Sequence, residues 1–374
     1  MSGAVERSTR HTPCSACLRR SWLVARLAGS IELAWIARKP LPAVLSLADA
    51  ALIAALGGKE RGRIEHAYER FDAGAARAIC AEHGVLALCR CDARYPVRLH
   101  DLPDAPAVLY VRGEPAGFER CMACDGVAIV GARRGSPYGL EQARGLGRGL
   151  AAAGLTVVSG MALGIDAAAH VGALEVDGAT LAVLACGPER AYPASKRDLH
   201  RRIVARGAVV AELPPGTRAR RWCFPARNRL IAALARATVV VEADARSGSL
   251  ITATLAGDLG REVAAVPGLV TASLARGTNA LIADGAQLVR GPRDVLELLF
   301  GVEAPALLAA EPEPGLPADL RALLEHVGGG RDTVAALTAG GLGVDAVLAG
   351  LAQLELRGRV RRGAGGRYVP VVHG

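Results

Sequence analysis

Residues 127–135 have the sequence Val127-Ala128-Ile129-Val130-Gly131-Ala132-Arg133-Arg134-Gly135. The apolar start is typical of a buried parallel strand, and the glycine after it is typical of a tight turn into a helix. Such a turn presents backbone N–H groups to an anion, and here Arg133 and Arg134 stand beside them. The segment therefore predicts a phosphate-binding turn.

The same segment argues against a dinucleotide cofactor. It lacks a Gly-x-Gly-x-x-Gly fingerprint, and no acidic residue ends the next strand, Thr156–Gly160, to bind a ribose hydroxyl. We therefore expect no nicotinamide or flavin dinucleotide, and the chain indicates no other cofactor.

Apolar strands alternate with helical segments from residue 127 to about 300. This alternation predicts an α/β protein with an extended Rossmann-like, doubly wound and mostly parallel sheet, whose ligands bind beyond the carboxyl ends of the strands. Strands near 85–88 and 108–111 are expected to extend that sheet. The other predicted strands are 127–131, 156–159, 179–185, 208–212, 238–242, 262–266 and 287–289. The predicted helices are 137–153, 165–175, 195–206, 227–235, 248–259 and 292–299.

The length of 374 residues suggests more than one domain. We expect a disordered basic lead-in over 1–20 and a small helical module, similar to a SAM or helix-hairpin-helix fold, over 21–81. The extended Rossmann domain would occupy 82–300. The proline-rich segment 301–317 is predicted to be a linker.

The last segment, 318–374, has the pattern of three helices closed by a two-stranded hairpin, which is typical of a winged helix. Its third helix, 344–356, carries few polar side chains, whereas a helix that reads a major groove normally carries several donors. We therefore expect this module to bind protein or to pack rather than to read duplex sequence.

The composition favours a polyanionic partner. The formal net charge is +9 and the pI is about 9.4, and arginine supplies most of the positive charge. Aromatic residues make up only 3% of the chain, which argues against the broad stacking surface of an OB-fold. Any base contact is therefore expected to depend on one or two rings.

The cysteines indicate a reducing compartment. Nine cysteines occur in a chain without a secretory signal or membrane span, so we expect a cytoplasmic protein with reduced thiols and no membrane contact. Two Cys-x-x-Cys pairs, Cys14/Cys17 and Cys121/Cys124, could together form a tetrahedral zinc site. A third pair, Cys89/Cys91, complicates that choice. Scattered thiols are the simpler interpretation, so we predict no metal.

Two further segments carry residues that could bind a nucleic acid. The basic segment Arg218–Arg229 combines five arginines with Trp222 and Phe224, a pattern typical of single-stranded nucleic-acid binding. Its alternative is a solvated loop. Ser247 and Ser249 follow the strand at 238–242 and would place hydroxyl groups at a helix start.

Asp166 and His170 lie four residues apart, on one side of a helix. They could be an acid–base pair, or a helix cap beside a buried imidazole. We favour the structural interpretation, because no nucleophile or metal ligand is placed beside them by spacing.

These segments resemble the DprA family, also called Smf, the DNA-processing proteins of bacterial transformation and recombination. The resemblance covers roughly residues 85–300. It rests on Ile129–Arg134, Ser159–His170, Phe224–Arg229, Ser247–Ala253, Val266–Gly268, Gly277–Asn279 and Gly285-Ala286.

The resemblance implies a homodimeric, non-catalytic protein that binds single-stranded DNA, protects it and loads the RecA recombinase. Arg133 would hold a phosphate, Gly160 would let the backbone approach the strand, and Arg221 would add a basic contact. Phe224 would stack on a base, and Asn228 would order its loop or bond a base. The remaining expected DNA-binding residues are Arg134, Lys196, Arg227, Arg229, Ser247 and Ser249.

Two departures from the family pattern concern single contacts. Leu163 stands where the family has arginine, and Lys196 stands where it has asparagine, so Lys196 is expected to replace the missing phosphate contact.

Two other classes remain as alternatives. A phosphoribohydrolase on a similar sheet would need a catalytic glutamate after the third glycine loop, and no carboxylate follows before Asp258. A winged-helix transcription regulator would need a recognition helix rich in donors.

Overall fold

A mostly parallel sheet organises the first part of the protein, as a computed structural model shows. The model describes residues 12–301, 317–328, 331–339, 343–357, 359–362 and 366–370. Residues 12–301 belong to one compact unit and the described residues from 317 onward belong to a second. The predicted linker lies almost entirely outside the described residues.

Within the described residues the sheet has nine strands. They are β1 (Leu86–Cys89), β2 (Val108–Arg112), β3 (Gly126–Val130), β4 (Thr156–Ser159), β5 (Thr180–Leu184), β6 (Ala208–Ala211), β7 (Ala237–Val240), β8 (Glu262–Ala265) and β9 (Gln287–Leu288). Their order is β1-β2-β6-β5-β4-β3-β7-β8-β9. β1 pairs with β2 and β2 pairs with β6 in antiparallel fashion, and the other pairs are parallel. The predicted α/β class with a mostly parallel sheet is therefore confirmed.

The helices of this unit cover both faces of the sheet and one end. They are α1 (Ser15–Arg26), α2 (Ala28–Ile36), α3 (Leu41–Leu45), α4 (Asp49–Leu56), α5 (Arg61–Glu69), α6 (Ala73–Glu82), α7 (Pro115–Ala123), α8 (Pro137–Ala152), α9 (Ile165–Glu175), α10 (Arg197–Arg206), α11 (Cys223–Leu234), α12 (Gly248–Asp258), α13 (Arg276–Ala283) and α14 (Pro292–Phe300). The pattern analysis did not predict α7 or α13, and α11 begins four residues earlier than predicted.

Alternation along β3 builds two separate cores. Val127 and Ile129 point to the face covered by α8, α9 and α14, whereas Ala128 and Val130 point to the face covered by α11. Because every residue of this strand is buried, it carries apolar side chains on both faces, as parallel strands do.

The chain order reverses at β3, which pairs with β4 on one side and with β7 on the other. In doubly wound sheets this reversal leaves a crevice beyond the carboxyl ends of the strands. The fold therefore places the turns after β3, β4 and β7 around one crevice.

The N-terminal helices pack onto the sheet unit. Leu23, Ile31 and Leu52 share a hydrophobic cluster with Trp222 and Ala226 of the α11 region. The indole N–H of Trp222 donates to the carbonyl oxygen of Ala28 at 2.9 Å. These helices therefore share a core with the Rossmann-like part.

The expected disordered lead-in over 1–20 is wrong for its last residues. Residues 1–11 lie outside the described residues, but α1 begins at Ser15. Cys14 caps this helix and Leu18 is buried. The segment was interpreted as disordered because it is basic. It forms an amphipathic helix, in which Arg19 and Arg20 lie between residues of the buried face, such as Leu18 and Leu23.

The second unit contains three described helices and a hairpin. They are α15 (Ala318–Gly328), α16 (Val334–Thr338), α17 (Val344–Leu356), β10 (Val360–Arg362) and β11 (Tyr368–Pro370), and the two strands pair in antiparallel fashion. Leu323, Leu337, Leu351 and Tyr368 form its core. None of the helices in the described parts of either unit is long and apolar enough to cross a bilayer.

A buried ion cluster joins α11 to the sheet. Nε of Arg229 lies 2.7 Å from Oδ2 of Asp104, and one of its terminal nitrogens lies 2.7 Å from Oε1 of Glu212. The Arg229 side chain is only 3% exposed. Removing the arginine would leave two carboxylates without their partner.

We expect Arg229→Met to lower the free energy of unfolding by about 3–5 kcal/mol, because one partner of a buried ion cluster is lost. Urea denaturation followed by circular dichroism measures the change. The control is Arg201→Met, which removes an exposed pair with Asp198 and should change stability by less than about 1 kcal/mol. Equal stability of the two variants would show that the cluster contributes nothing.

Candidate nucleic-acid interface

Backbone hydrogen bonds tie the first turn, after β3, to the segments beside it. The N–H of Ala132 donates to the carbonyl oxygen of Glu242 at 2.7 Å, and the carbonyl oxygen of Ala132 accepts from the N–H of Ile165 at 3.2 Å. Glu242 follows β7, and Ile165 ends the turn after β4. The three turns therefore meet at one end of the sheet.

The first turn does not offer its helix start to an anion, which corrects the prediction from its sequence. Both carboxylate oxygens of Glu242 are bound to Ser136, one by its N–H at 2.8 Å and the other by its hydroxyl at 2.5 Å. Glu242 is buried and already occupies this N-terminus of α8. Arg133, which is exposed, is therefore the residue through which this turn presents positive charge to the surface.

The second turn, after β4, is held by Asp166. Its Oδ2 accepts from the N–H groups of Gly160 at 3.1 Å and of Ala162 at 3.4 Å. Gly164 adopts a φ of 78°, a backbone conformation that favours glycine. Burial raises the pKa of Asp166, and the nearby Arg227 guanidinium opposes that shift.

His170 is buried beneath this turn. Its Nδ1 lies 2.7 Å from the hydroxyl oxygen of Thr180, and burial lowers the pKa of His170 to about 3. The imidazole is therefore neutral at physiological pH. These contacts support the structural interpretation of Asp166 and His170 over an acid–base pair.

Arg227 forms the floor of the site instead of an exposed basic track. It is 7% exposed, and one of its terminal nitrogens donates to the carbonyl oxygen of Val183 at 2.6 Å. A Cβ atom at Gly160 would overlap its guanidinium. Gly160 is itself buried, so it makes room for Arg227 rather than for an approaching strand. Arg227 and Arg229 were expected to bind DNA, but both are buried, so neither belongs to an exposed basic track.

The third turn, after β7, is organised by serines and by α11. The Ser247 hydroxyl oxygen accepts from the N–H of Ser249 at 3.3 Å and lies 2.7 Å from the Ser249 hydroxyl. The side-chain amide of Asn228 donates to the carbonyl oxygen of Gly248 at 3.2 Å. Asn228 therefore links α11 to this loop.

Three cavities that share lining residues lie side by side across these turns, and we call them together the rim groove. The central cavity, of about 450 Å³, is lined by residues of all three turns, including Gly131, Ala162 and Ser249. It shares Arg133 and Phe224 with a smaller cavity. It shares Trp35, Pro225 and Ile251 with a third cavity, which Arg221 also lines.

Phe224 lies at the centre of the rim groove, between a cation and a second ring. The guanidinium carbon of Arg133 is 5.2 Å from the Phe224 ring centroid. The Tyr192 ring lies 5.3 Å from Phe224 on a plane tilted by 48°. A planar group that entered here would meet both an aromatic surface and a positive charge.

The far end of the rim groove comes from the N-terminal helices, which the sequence analysis did not connect with the site. Trp35 lies on α2, and Arg38 and Lys39 follow it. Glu32 accepts from the side chain of Arg220 and from the backbone N–H of Arg221. Arg221 itself is exposed and faces the groove. The basic and aromatic residues over 35–39 were the sequence signal that could have indicated this contribution to the site.

Two predicted residues lie beside the rim groove rather than in it. Among the described residues that line its three cavities, neither Arg134 nor Lys196 occurs. Arg134 is exposed next to Arg133, and Lys196 ends a short helical turn before α10. Leu163 lines the smaller cavity, whereas Lys196 is not among the described residues that line it.

Acidic groups are scarce in the rim groove. Of the described residues that line it, Asp166 is the acidic one, and its carboxylate is buried and bound to backbone N–H groups. Arg133, Arg221, Arg38 and Lys39 carry positive charge along its length. The groove is therefore electrostatically suited to a chain of phosphates.

Comparisons with a family model and with known proteins relate this chain to the same group of DNA-processing proteins. Residues 87–300 match the model of the family described as DNA recombination-mediator protein A. A putative DNA processing protein DprA from Mycobacterium tuberculosis is 43% identical over 261 residues, which cover 68% of this chain and 66% of that protein. The chain thus spans slightly less than two thirds of that relative.

Two solved structures are similar in fold and sequence. The X-ray structure of DNA processing protein A from Streptococcus pneumoniae gives a TM-score of 0.59 at 32% identity, over 75% of this chain and 95% of that chain. DNA processing protein A from Helicobacter pylori, studied for its single-stranded DNA binding mode, gives a TM-score of 0.52 at 30% identity, over 57% and 95%. With more than half of its residues matched by the family model, the chain belongs to the DNA recombination-mediator protein A family.

Proposed function

We propose that this protein binds single-stranded DNA in the rim groove. The observation that carries the proposal is the placement of Phe224 between Arg133 and Tyr192, in a groove lined by further cations. Proteins that bind single strands combine a basic track with rings on which bases stack. The similar protein from Helicobacter pylori was studied for its single-stranded DNA binding mode, which supports the choice of ligand.

A single strand fits this arrangement better than a duplex. Bases in a duplex are stacked on one another, so a ring that lies half-buried in a groove can reach only the face of an unstacked base. The phosphates of one strand would follow Arg133 toward Arg221 and Lys39. Ser247 and Ser249 would contribute hydroxyl groups to the wall.

The protein acts without catalysis in this proposal. The carboxylate of Asp166 is bound to backbone N–H groups, and His170 is a buried neutral imidazole. Neither group is placed to accept a proton from a bound nucleotide. The bound strand is therefore held and passed on rather than cleaved.

The wider activity follows from the family relationship. We propose a cytoplasmic homodimer that protects single-stranded DNA during transformation or recombination and loads the RecA recombinase onto it. The order of α15, α16, α17 and the hairpin supports a winged-helix module in the second unit. Because α17 has few polar side chains, that module contacts protein rather than duplex bases.

The proposed function predicts a strong preference for single strands. Fluorescence anisotropy titrations with a labelled single-stranded oligonucleotide and with its duplex, each at two salt concentrations, measure the preference. We expect tighter binding of the single strand and a steep loss of affinity with salt, because counterions are released from the phosphates. Equal affinity for both forms would favour a transcription regulator.

Arg133→Ala should weaken single-strand binding regardless of sequence, because one phosphate contact is lost. The slope of log K against log salt should fall in magnitude by about 0.7. Arg293→Ala is the matched control, because Arg293 is an exposed arginine on α14 that pairs with Glu297 and does not line the rim groove. If both variants bind alike, Arg133 does not contact the strand.

Phe224→Ala should weaken binding by about 1–3 kcal/mol, the usual effect of removing a stacking ring. Phe224→Tyr keeps the ring and should retain most of the affinity. Thermal unfolding checks that both variants remain folded, since Phe224 also touches the cluster around Trp222. Wild-type affinity in a folded Phe224→Ala protein would exclude stacking on this ring.

A further inference from the structure

Four cysteines from two distant segments meet at the edge of the sheet. Cys14 and Cys17 lie at the start of α1, and Cys89 and Cys91 lie at the end of β1. Their sulfur atoms all lie within 4.8 Å of one another. We call these residues the cysteine cluster. Cys121 is not part of it, because its thiol is buried against the carbonyl oxygen of Thr180.

The spacing of the sulfur atoms suits a tetrahedral metal ion. Zinc–sulfur bonds of about 2.3 Å in a tetrahedron place the sulfur atoms about 3.8 Å apart. Sγ of Cys17 and Sγ of Cys91 are 4.0 Å apart, about twice the length of a disulfide bond. The cluster therefore needs only small adjustments to hold one ion, and its sulfur atoms are not bonded to each other.

The protein backbone supports the cluster from both segments. Cys14 caps α1, and its sulfur accepts from the N–H of Cys17 at 3.4 Å, a contact that stabilises negative charge on sulfur. The guanidinium of Arg77 on α6 donates twice to the carbonyl oxygen of Pro13. That contact holds the segment before Cys14 in place.

The four cysteines of the cluster differ in how deeply they are buried. Cys17 and Cys89 are buried among Leu18, Val85 and Tyr110, whereas Cys14 is half-buried and Cys91 is exposed. Four thiolates without an exchangeable ligand are typical of a structural zinc site rather than a catalytic one. The exposed side leaves a path by which the ion can enter.

We propose that the cysteine cluster binds one zinc ion, which fastens the N-terminal helix α1 to β1, the outermost strand of the sheet. This differs from the expectation of no metal and from the pairing of Cys14/Cys17 with Cys121/Cys124. The ion would close a loop of about 70 residues, which restricts the unfolded chain and so stabilises the fold. The site serves the architecture and is independent of DNA binding.

Metal analysis of the purified full-length protein tests the proposal. Inductively coupled plasma mass spectrometry should find about one zinc per chain. Cys91→Ser should lose most of the zinc, and Cys14→Ser should do the same. The matched control is Cys124→Ser, which removes a half-buried cysteine outside the cluster and should keep the zinc.

Two further measurements separate the metal from other roles of the cysteines. Substitution with cobalt should give the visible absorption bands of a tetrahedral thiolate site, and these should vanish in Cys91→Ser. Removal of the ion with a chelator should lower the thermal midpoint of the wild type by about 5 °C or more and leave that of Cys91→Ser unchanged.

Three results would overturn the proposal. One is the absence of zinc after reconstitution of the reduced protein with zinc chloride. Another is a zinc content that Cys91→Ser does not change, measured on a variant whose circular dichroism matches the wild type. The third is a Cys17–Cys91 disulfide in protein prepared without oxygen.

Discussion

The site depends on the backbone of a single residue, Ala132. Its N–H is bound to Glu242 after β7, and its carbonyl oxygen is bound to Ile165 after the second turn. These two bonds cross the point at which the strand order reverses, so they fix three separate loops relative to one another. Because both bonds are between main-chain groups, the position of the first turn does not depend on the contacts of its side chains. Arg133, the next residue, is thereby aimed at Phe224.

The arginines near the three turns have two different roles, which follow from whether their side chains are buried or exposed. Arg227 and Arg229 are buried and satisfied by carbonyl and carboxylate oxygens, so they assemble the floor of the groove. Arg133 and Arg221 are exposed and line the groove, so their positive charges are available at its surface. Backbone N–H groups at the first turn, in contrast, are already occupied by Glu242. At the first turn the positive charge thus comes from side chains rather than from the helix start.

Local sequence patterns were sufficient to predict the strands of the sheet, but they were insufficient to predict which side chains of the site are exposed. The predicted strands around β3, β4 and β7 agree with the structure because apolar runs and glycine turns are short-range signals. The same signals could not separate Arg221 from Arg229, because burial depends on Asp104, which lies 125 residues away from Arg229. Trp35 and the cysteine cluster were missed for the same reason. Their partners are distant in sequence, and no periodicity reports such contacts.

The indole of Trp222 has a consequence for the boundaries of the folding unit. The family match begins at residue 87, yet this side chain, which is 1% exposed, packs in one cluster with residues of α1 to α4 that precede that boundary. A chain trimmed to the matched region would uncover an apolar patch and lose the wall that Trp35 provides. Such a fragment would tend to self-associate, so the N-terminal helices that precede the family match are a folding partner of the sheet.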